Sequence, residues 1–116
     1  MKIYNALPEG NEMASLEPAR FFNLGIEQVE QIIEWMKDAK GPTQPLLVHL
    51  DVLLLLSERY PSVAEDRIYK LDLENIRTIF LAWHERNSAK IPAKFREEIK
   101  ESGIKILEGL KKYWKP

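Results

Sequence analysis

Two histidines carry the most versatile side-chain chemistry in this chain of 116 residues. His49 lies in the most apolar segment, and His84 lies in a later amphipathic one. Imidazole nitrogens bind metal ions and exchange protons near neutral pH, and Asp51, Glu58 or Glu85 could complete such a site. The spacing does not support one, because His84 and Glu85 are not followed by the second histidine of a zinc protease motif. Since a buried lone histidine usually finds a hydrogen-bond partner, we predict neither a metal ion nor another cofactor.

The remaining reactive side chains also fall short of a catalytic pattern. The chain has no cysteine, which excludes disulfides, thiolate metal sites and thiol nucleophiles. Its five glycines are scattered, so no glycine-rich phosphate loop is formed. Carboxylate pairs such as Glu27 with Glu30 lie on polar helix faces, where they stay solvated and unsuited to acid–base catalysis. We therefore predict a protein that has no catalytic residues.

Charge is distributed unevenly along the chain, although the net charge is only −1. Residues 1–66 carry five basic and eleven acidic side chains, whereas residues 67–116 carry twelve basic and seven acidic ones. A basic segment with aromatic residues among its cations can bind single-stranded nucleic acid. The candidate contacts are Lys105, Lys111, Lys112 and Lys115. Glutamates interleave with these lysines at helical spacing, for example Glu101 with Lys105, which favours an ordinary solvated helix instead.

Three tryptophans are many for a small helical domain, and they suggest contact with another protein. Trp35 falls at the flank of an apolar helix stripe, and Trp114 lies near the end of the chain. The last helix also carries a second apolar stripe, so it needs a second neighbour, either in the same chain or in a partner. The candidate interaction residues are Trp35, Ile104, Leu107 and Trp114. The alternative is that these side chains close the two ends of the core within one chain.

The elements that position these residues are organised around the apolar segment Leu46–Tyr60, which lies between Pro45 and Pro61. Its leucine content and length favour a helix over a strand, and it is shorter than the roughly 20 apolar residues that span a bilayer. A step of about 100° per residue places Asp51 and Glu58 on one stripe. We expect this central helix to show water only that stripe and to be enclosed by neighbours on its other sides.

Two helical segments are predicted before the central helix. Residues 1–14 are expected to form an irregular arm, and residues 15–22 a short helical piece that Ser15 caps. Apolar residues then recur at helical spacing, which predicts a helix that begins after Asn23 or Gly25 and ends near Lys40. A short link would make this helix and the central one an antiparallel hairpin.

Turn residues and caps mark the boundaries around the central helix. Gly41 is expected to stop the preceding helix in a left-handed conformation, and Thr43 to cap the central helix. Ser62 and Glu65 have capping-box spacing, which predicts a helix of one or two turns after the central one.

Two further helices complete the prediction. Asp72 is expected to cap a third long helix over residues 73–87, and Pro92 to occupy the first turn of the last helix. Gly103 allows two interpretations of that last helix. It either stops the helix in a left-handed conformation or lies within a continuous helix where another backbone comes close. The apolar spacing keeps its phase across the glycine, which favours the continuous helix.

These patterns predict a single all-α domain over residues 1–116, a bundle of four main helices with a short N-terminal helical piece and mostly antiparallel neighbours. The first residues lack the apolar core of a signal peptide, so we expect a cytoplasmic protein that does not enter a membrane. The predicted function is that of a non-catalytic protein-protein interaction or adaptor protein, and a homodimer through the third and last helices is one form of it. The alternative is a nucleic-acid-associated protein that uses the basic C-terminal helix.

Overall fold

The computed structural model describes residues 12–37 and 43–115, with side chains over residues 17–37 and 46–115. The described residues form an all-α fold, which confirms the predicted class. Its helices are α1 (Glu12–Lys37), α2 (Thr43–Arg59), α3 (Pro61–Arg67), α4 (Leu73–Asn87) and α5 (Ala93–Lys111), with short 3-10 helices at Ile68–Lys70 and Ser88–Lys90. The predicted stop at Gly41 and the capping side chain of Thr43 lie outside the described residues.

The first helix is one continuous element, which corrects the prediction of a short piece followed by a separate helix. α1 begins at Glu12, inside the predicted irregular arm, and runs through Gly25 without a break. Its buried stripe stays in phase throughout, and Phe22 and Val29 on either side of the glycine are fully buried. Gly25 marks a close approach, because a Cβ atom there would lie 2.9 Å from Cδ2 of Leu53. The glycine therefore lets α2 pack closely against α1 and does not end the helix.

The central helix α2 has an exposed apolar side, which corrects the expectation that neighbours enclose it. Leu46, Leu50 and Leu53 are fully buried, as expected for the core side. However, Val48 and Leu55 are 60% and 57% exposed on the opposite side of the helix. Among the described residues, neighbours cover only the inner side and the flanks of α2, so its outward apolar residues remain in solvent.

The cap of α4 is confirmed, whereas the capping box before it is not formed. Asp72 accepts a hydrogen bond from the backbone N–H of Asn75 at 3.1 Å, and α4 begins at the next residue, as predicted. The predicted helix of one or two turns is present as α3, but it begins at Pro61 with Tyr60 at the N-cap position and no side-chain capping bond. Ser62 thus lies inside the helix, because the proline ring already provides a favourable first turn.

The last helix is continuous through Gly103, as the apolar spacing predicted. The close neighbour of this glycine is a side chain, however, and not a second backbone. A Cβ atom at Gly103 would lie 2.5 Å from two carbons of the Phe80 ring, and Phe80 is fully buried. The missing side chain therefore leaves the space that the aromatic ring of α4 occupies.

The main helices form a four-cornered bundle in which α1 contacts α2, α2 contacts α5, α5 contacts α4 and α4 contacts α1. α1 with α2 and α4 with α5 are antiparallel hairpins. α2 and α5 run parallel, because Leu47 lies near Gly103 while Leu54 lies near Gly109. The short helix α3 packs on α1 and α2. Two of the four neighbouring pairs are antiparallel, whereas the prediction was that most would be. The other two pairs, α2 with α5 and α1 with α4, are parallel because the two hairpins pack side by side.

Two leucines on opposite sides of α2 provide a test of this orientation. We expect Leu53→Ala to lower the free energy of unfolding by about 2–5 kcal/mol, because a fully buried side chain leaves a cavity. Leu55→Ala is expected to change it by less than about 0.5 kcal/mol, since Leu55 points into solvent. Urea unfolding followed by circular dichroism measures both values, and losses of equal size would contradict the orientation of α2.

The close packing at Gly103 provides a second test. We expect Gly103→Ala to lower the free energy of unfolding by about 1–3 kcal/mol, because the buried ring of Phe80 has no room to move. Gly109→Ala is the matched control on the same helix. There the neighbour is the half-buried Leu54, which can rotate away, so stability should stay within about 1 kcal/mol of the wild type. Thermal melts that show equal effects would contradict the packing of Phe80 on α5.

Candidate functional site

His84 has a structural role that its position between two helices explains. It is buried at the end of α4, and its Nε2–H donates a hydrogen bond to the backbone carbonyl of Arg96 at 2.8 Å. A carbonyl only accepts, so Nε2 carries the proton. The Arg96 side chain in turn donates from Nε to the carbonyl of Ile91 at 2.9 Å. These bonds hold the start of α5 against the end of α4.

His49 is half-buried on α2, whereas His84 lies on α4. Within the described part of the chain, no three or more histidines and carboxylates lie close enough together to hold a metal ion. The structure therefore does not bring the two histidines into one site with Asp51, Glu58 or Glu85.

The predicted interaction residues occupy two separate corners of the bundle. Trp35 is exposed on α1, whereas the other three lie on or beyond α5, at the opposite corner. Leu107 is buried in the core, and Ile104 is half-buried. Trp114 is 37% exposed, and its Nε1–H donates to the carbonyl of Leu71 at 2.7 Å. The second apolar stripe of α5 thus finds most of its cover within the same chain, and Leu107 is not available to a partner.

The predicted nucleic-acid contacts do not form an uninterrupted basic surface. Lys115 forms an ion pair with Glu65 of α3 at 3.0 Å. Lys105, Lys111 and Lys112 are exposed, but the exposed Glu108 lies between them along the helix, and Glu101 lies one turn before Lys105. Because neighbouring charges of opposite sign reduce the positive potential that a phosphate backbone needs, α5 resembles an ordinary solvated helix face.

The largest set of exposed apolar side chains lies on the outward side of α1 and α2. We call it the outer hairpin face. Each member is between 46% and 60% exposed, and the spacing within each helix places the members on one stripe. The members are Phe21, Leu24 and Trp35 of α1 and Val48, Val52 and Leu55 of α2.

The two stripes lie side by side because of the register and hand of the hairpin. The contact between Gly25 and Leu53 sets α1 and α2 beside one another. In both helices the buried stripe faces α4 and α5, and the exposed stripe lies well over 100° around the helix from it. In each helix, the rotation from the buried stripe to the exposed stripe passes through the side that faces the other helix. Both exposed stripes therefore lie on the same outer side of the antiparallel pair. The half-buried residues His49 and Leu56 lie in the seam between the stripes.

The apolar area of the outer hairpin face lies at the upper end of the range for the largest apolar patch of a monomer. Fully exposed side chains of this size present on the order of 150–250 Å² each, so the six together leave on the order of 600 Å² of apolar surface in solvent. The largest apolar patch of a typical monomer measures about 300–600 Å² and is often functional. A standard interface buries about 800 Å² per partner. With its polar edges, this face therefore has the size of one side of an ordinary protein interface.

Carboxylates without ion-pair partners line the edges of the outer hairpin face. Glu27 lies beside the stripe of α1, and Asp51 and Glu58 lie beside that of α2. Within the described residues none of the three forms an ion pair, whereas the nearby cations Arg20 and Lys37 are already bound to glutamates of their own helix. The edge along α1 therefore carries one unpaired carboxylate and the edge along α2 carries two, and Lys105 of α5 lines the same cleft as Asp51.

Sequence reasoning found Trp35 but missed the other five residues of this face. The signal was present in α2, which is apolar on more sides than a helix with neighbours on only part of its circumference can bury. Periodicity alone does not reveal which of its stripes faces the core, because the outward and inward stripes are both apolar.

No family model matches this chain, and comparison with curated proteins and with solved structures also gave no match. Among the described helices, none combines the length and the apolar character that crossing a bilayer requires.

Substitution of Trp114 and of Trp35 tests whether each tryptophan stabilises the fold. We expect Trp114→Ala to lower the free energy of unfolding by about 1–3 kcal/mol, because it removes both packing and the hydrogen bond to Leu71. Trp35→Ala, on the outer hairpin face, should lower it by less than about 0.5 kcal/mol. Chemical unfolding monitored by circular dichroism gives both values. A stable Trp114→Ala variant would show that the tail is not anchored through this side chain.

Proposed function

We propose that this protein is a non-catalytic, cytoplasmic protein-protein interaction module that binds its partner through the outer hairpin face. The observation that carries the proposal is the area of that face, which leaves six large apolar side chains in solvent on one side of the bundle. The absence of cysteine from the sequence suits a reducing compartment.

The arrangement of the face supports a protein as the partner. Apolar residues form the body of the face, with Phe21 and Trp35 towards its two ends, and charged residues lie along its long edges. An apolar body with a polar rim is the usual anatomy of a protein interface. Phe21 and Trp35 are the members with the largest side chains, and aromatic residues of this kind contribute most to the binding energy at interfaces.

The interaction surface in this proposal differs from the one that the sequence suggested. A homodimer through α4 and α5 depended on an apolar stripe of α5 that now packs largely inside the chain. The nucleic-acid alternative remains a prediction, and no feature of α5 favours it over the protein-binding proposal.

Site-specific photo-crosslinking tests the proposal. A benzophenone amino acid replaces Leu55 on the outer hairpin face, and in a matched control it replaces Phe95, which is also exposed but lies at the start of α5. Irradiation of cells that express each variant should give a discrete adduct of higher mass from position 55 and none from position 95.

A further variant shows whether that adduct depends on the apolar surface. Adding Leu24→Asp to the chain with the probe at position 55 should reduce the adduct at least fivefold without changing the melting temperature, because Leu24 is exposed on the neighbouring helix. Adducts of equal yield at positions 55 and 95, or an adduct that Leu24→Asp leaves unchanged, would refute binding through this face.

A further inference from the structure

We infer that the partner presents an amphipathic helix whose apolar stripe is flanked by lysine and arginine, and that this helix lies along the outer hairpin face. The inference rests on the proposed function and adds the chemistry of the partner. It follows from the shape of the face and from the charges along its edges.

The shape of the face favours a helix as its ligand. The outward stripes of two antiparallel helices lie on either side of a seam that contains the half-buried side chains of His49 and Leu56. On α1 the apolar side chains lie at the two ends of the stripe, and the exposed amides of Gln28 and Gln31 lie between them. A third helix can place its own apolar stripe over such a seam, as in helix-in-groove recognition. From Phe21 to Trp35 the stripe of α1 is about 21 Å long, because a helix rises about 1.5 Å per residue. A partner helix of about 14 residues, or four turns, covers that length.

The charges of the hairpin favour a basic ligand. Across its described side chains, residues 17–37 and 46–59, the hairpin carries six carboxylates and three cations. Two of the three cations are already paired with glutamates of α1. The unpaired carboxylates at the edges are Glu27, Asp51 and Glu58. Cations that flank the apolar stripe of a bound helix would reach these edges and speed association, because opposite charges steer the two surfaces together.

The same charges disfavour the other occupants. A second copy of this chain would place the same face against itself, since twofold interfaces are self-complementary, and would bring acidic edges together. Two cations would offset part of that repulsion: Arg59, whose guanidinium lies 5.9 Å from the centre of the Tyr60 ring, and Lys105, which lines the same cleft as Asp51. An anionic membrane surface or a nucleic acid would meet the same acidic edges.

A display experiment with the whole protein tests the inference. A library of random 20-residue peptides is selected on the immobilised wild-type chain and counter-selected on Val52→Asp, whose fold is checked by circular dichroism. We expect the enriched peptides to carry apolar residues at helical spacing and an excess of lysine and arginine. Enriched peptides that are neutral or acidic would overturn the inference about the partner while leaving the proposed function intact. If no peptide depends on Val52, the proposed function itself fails.

Charge reversal at the edges provides the quantitative test. The affinity of an enriched peptide is measured by fluorescence anisotropy for Asp51→Lys combined with Glu58→Lys, and for Glu97→Lys as a control on the exposed side of α5. We expect the double variant to weaken binding about threefold to tenfold at low salt, with a smaller effect at high salt, because exposed charge pairs are screened. The control should leave the affinity within about twofold of the wild type. A double variant that binds as tightly as the control would contradict the role of the acidic edges.

Sedimentation of the chain without any peptide tests the remaining alternative, in which a second copy of the chain binds the outer hairpin face. We expect a monomer at micromolar concentration. A dimer that Leu55→Asp dissociates would assign the outer hairpin face to a second copy and would overturn the inference.

Discussion

The burial of one side of α2 is the constraint on which the rest of the structure depends. Leu46, Leu50 and Leu53 are fully buried, and each such side chain stabilises the fold by about 1.5–3 kcal/mol. This burial fixes the rotation of α2 about its axis, so Val48 and Leu55 must face outward. Because α2 is apolar on more sides than its neighbours can cover, it cannot bury all of its apolar side chains within one chain. The core and the outer hairpin face are therefore two consequences of the same composition.

Close contact between helices depends on three glycines, each of which faces a side chain of a neighbouring helix. Gly25 of α1 meets Leu53, Gly103 of α5 meets Phe80, and Gly109 of α5 meets Leu54. None of these positions has the backbone conformation that only glycine readily adopts, so their common feature is space. The cost of glycine within a helix, about 1 kcal/mol relative to alanine, is offset because larger apolar side chains pack into the space it leaves.

Local signals in the sequence predicted much of the fold. The features that were missed depend on which helices pack against each other, which local signals do not show. The cap at Asp72 and the length of α4 were predicted correctly because both depend on residues within one turn. The continuity of α5 followed from periodicity across Gly103. The merging of the first two segments into α1 was missed, because Gly25 reads as a helix breaker until Leu53 is known to lie against it. The burial of Leu107 within the chain was missed for the same reason, since burial depends on which helix lies opposite.

The energy that the outer hairpin face can contribute explains why its edges matter for recognition. At about 25 cal/mol per Å², burial of its apolar surface corresponds to at most on the order of 15 kcal/mol. Association costs about 4–15 kcal/mol in lost freedom of motion before any affinity appears. The apolar surface alone therefore supports binding but discriminates poorly, because any apolar helix of the right length would fit it. Discrimination must come from groups that reward one partner and penalise others, and Glu27, Asp51 and Glu58 are the charged groups placed to do so.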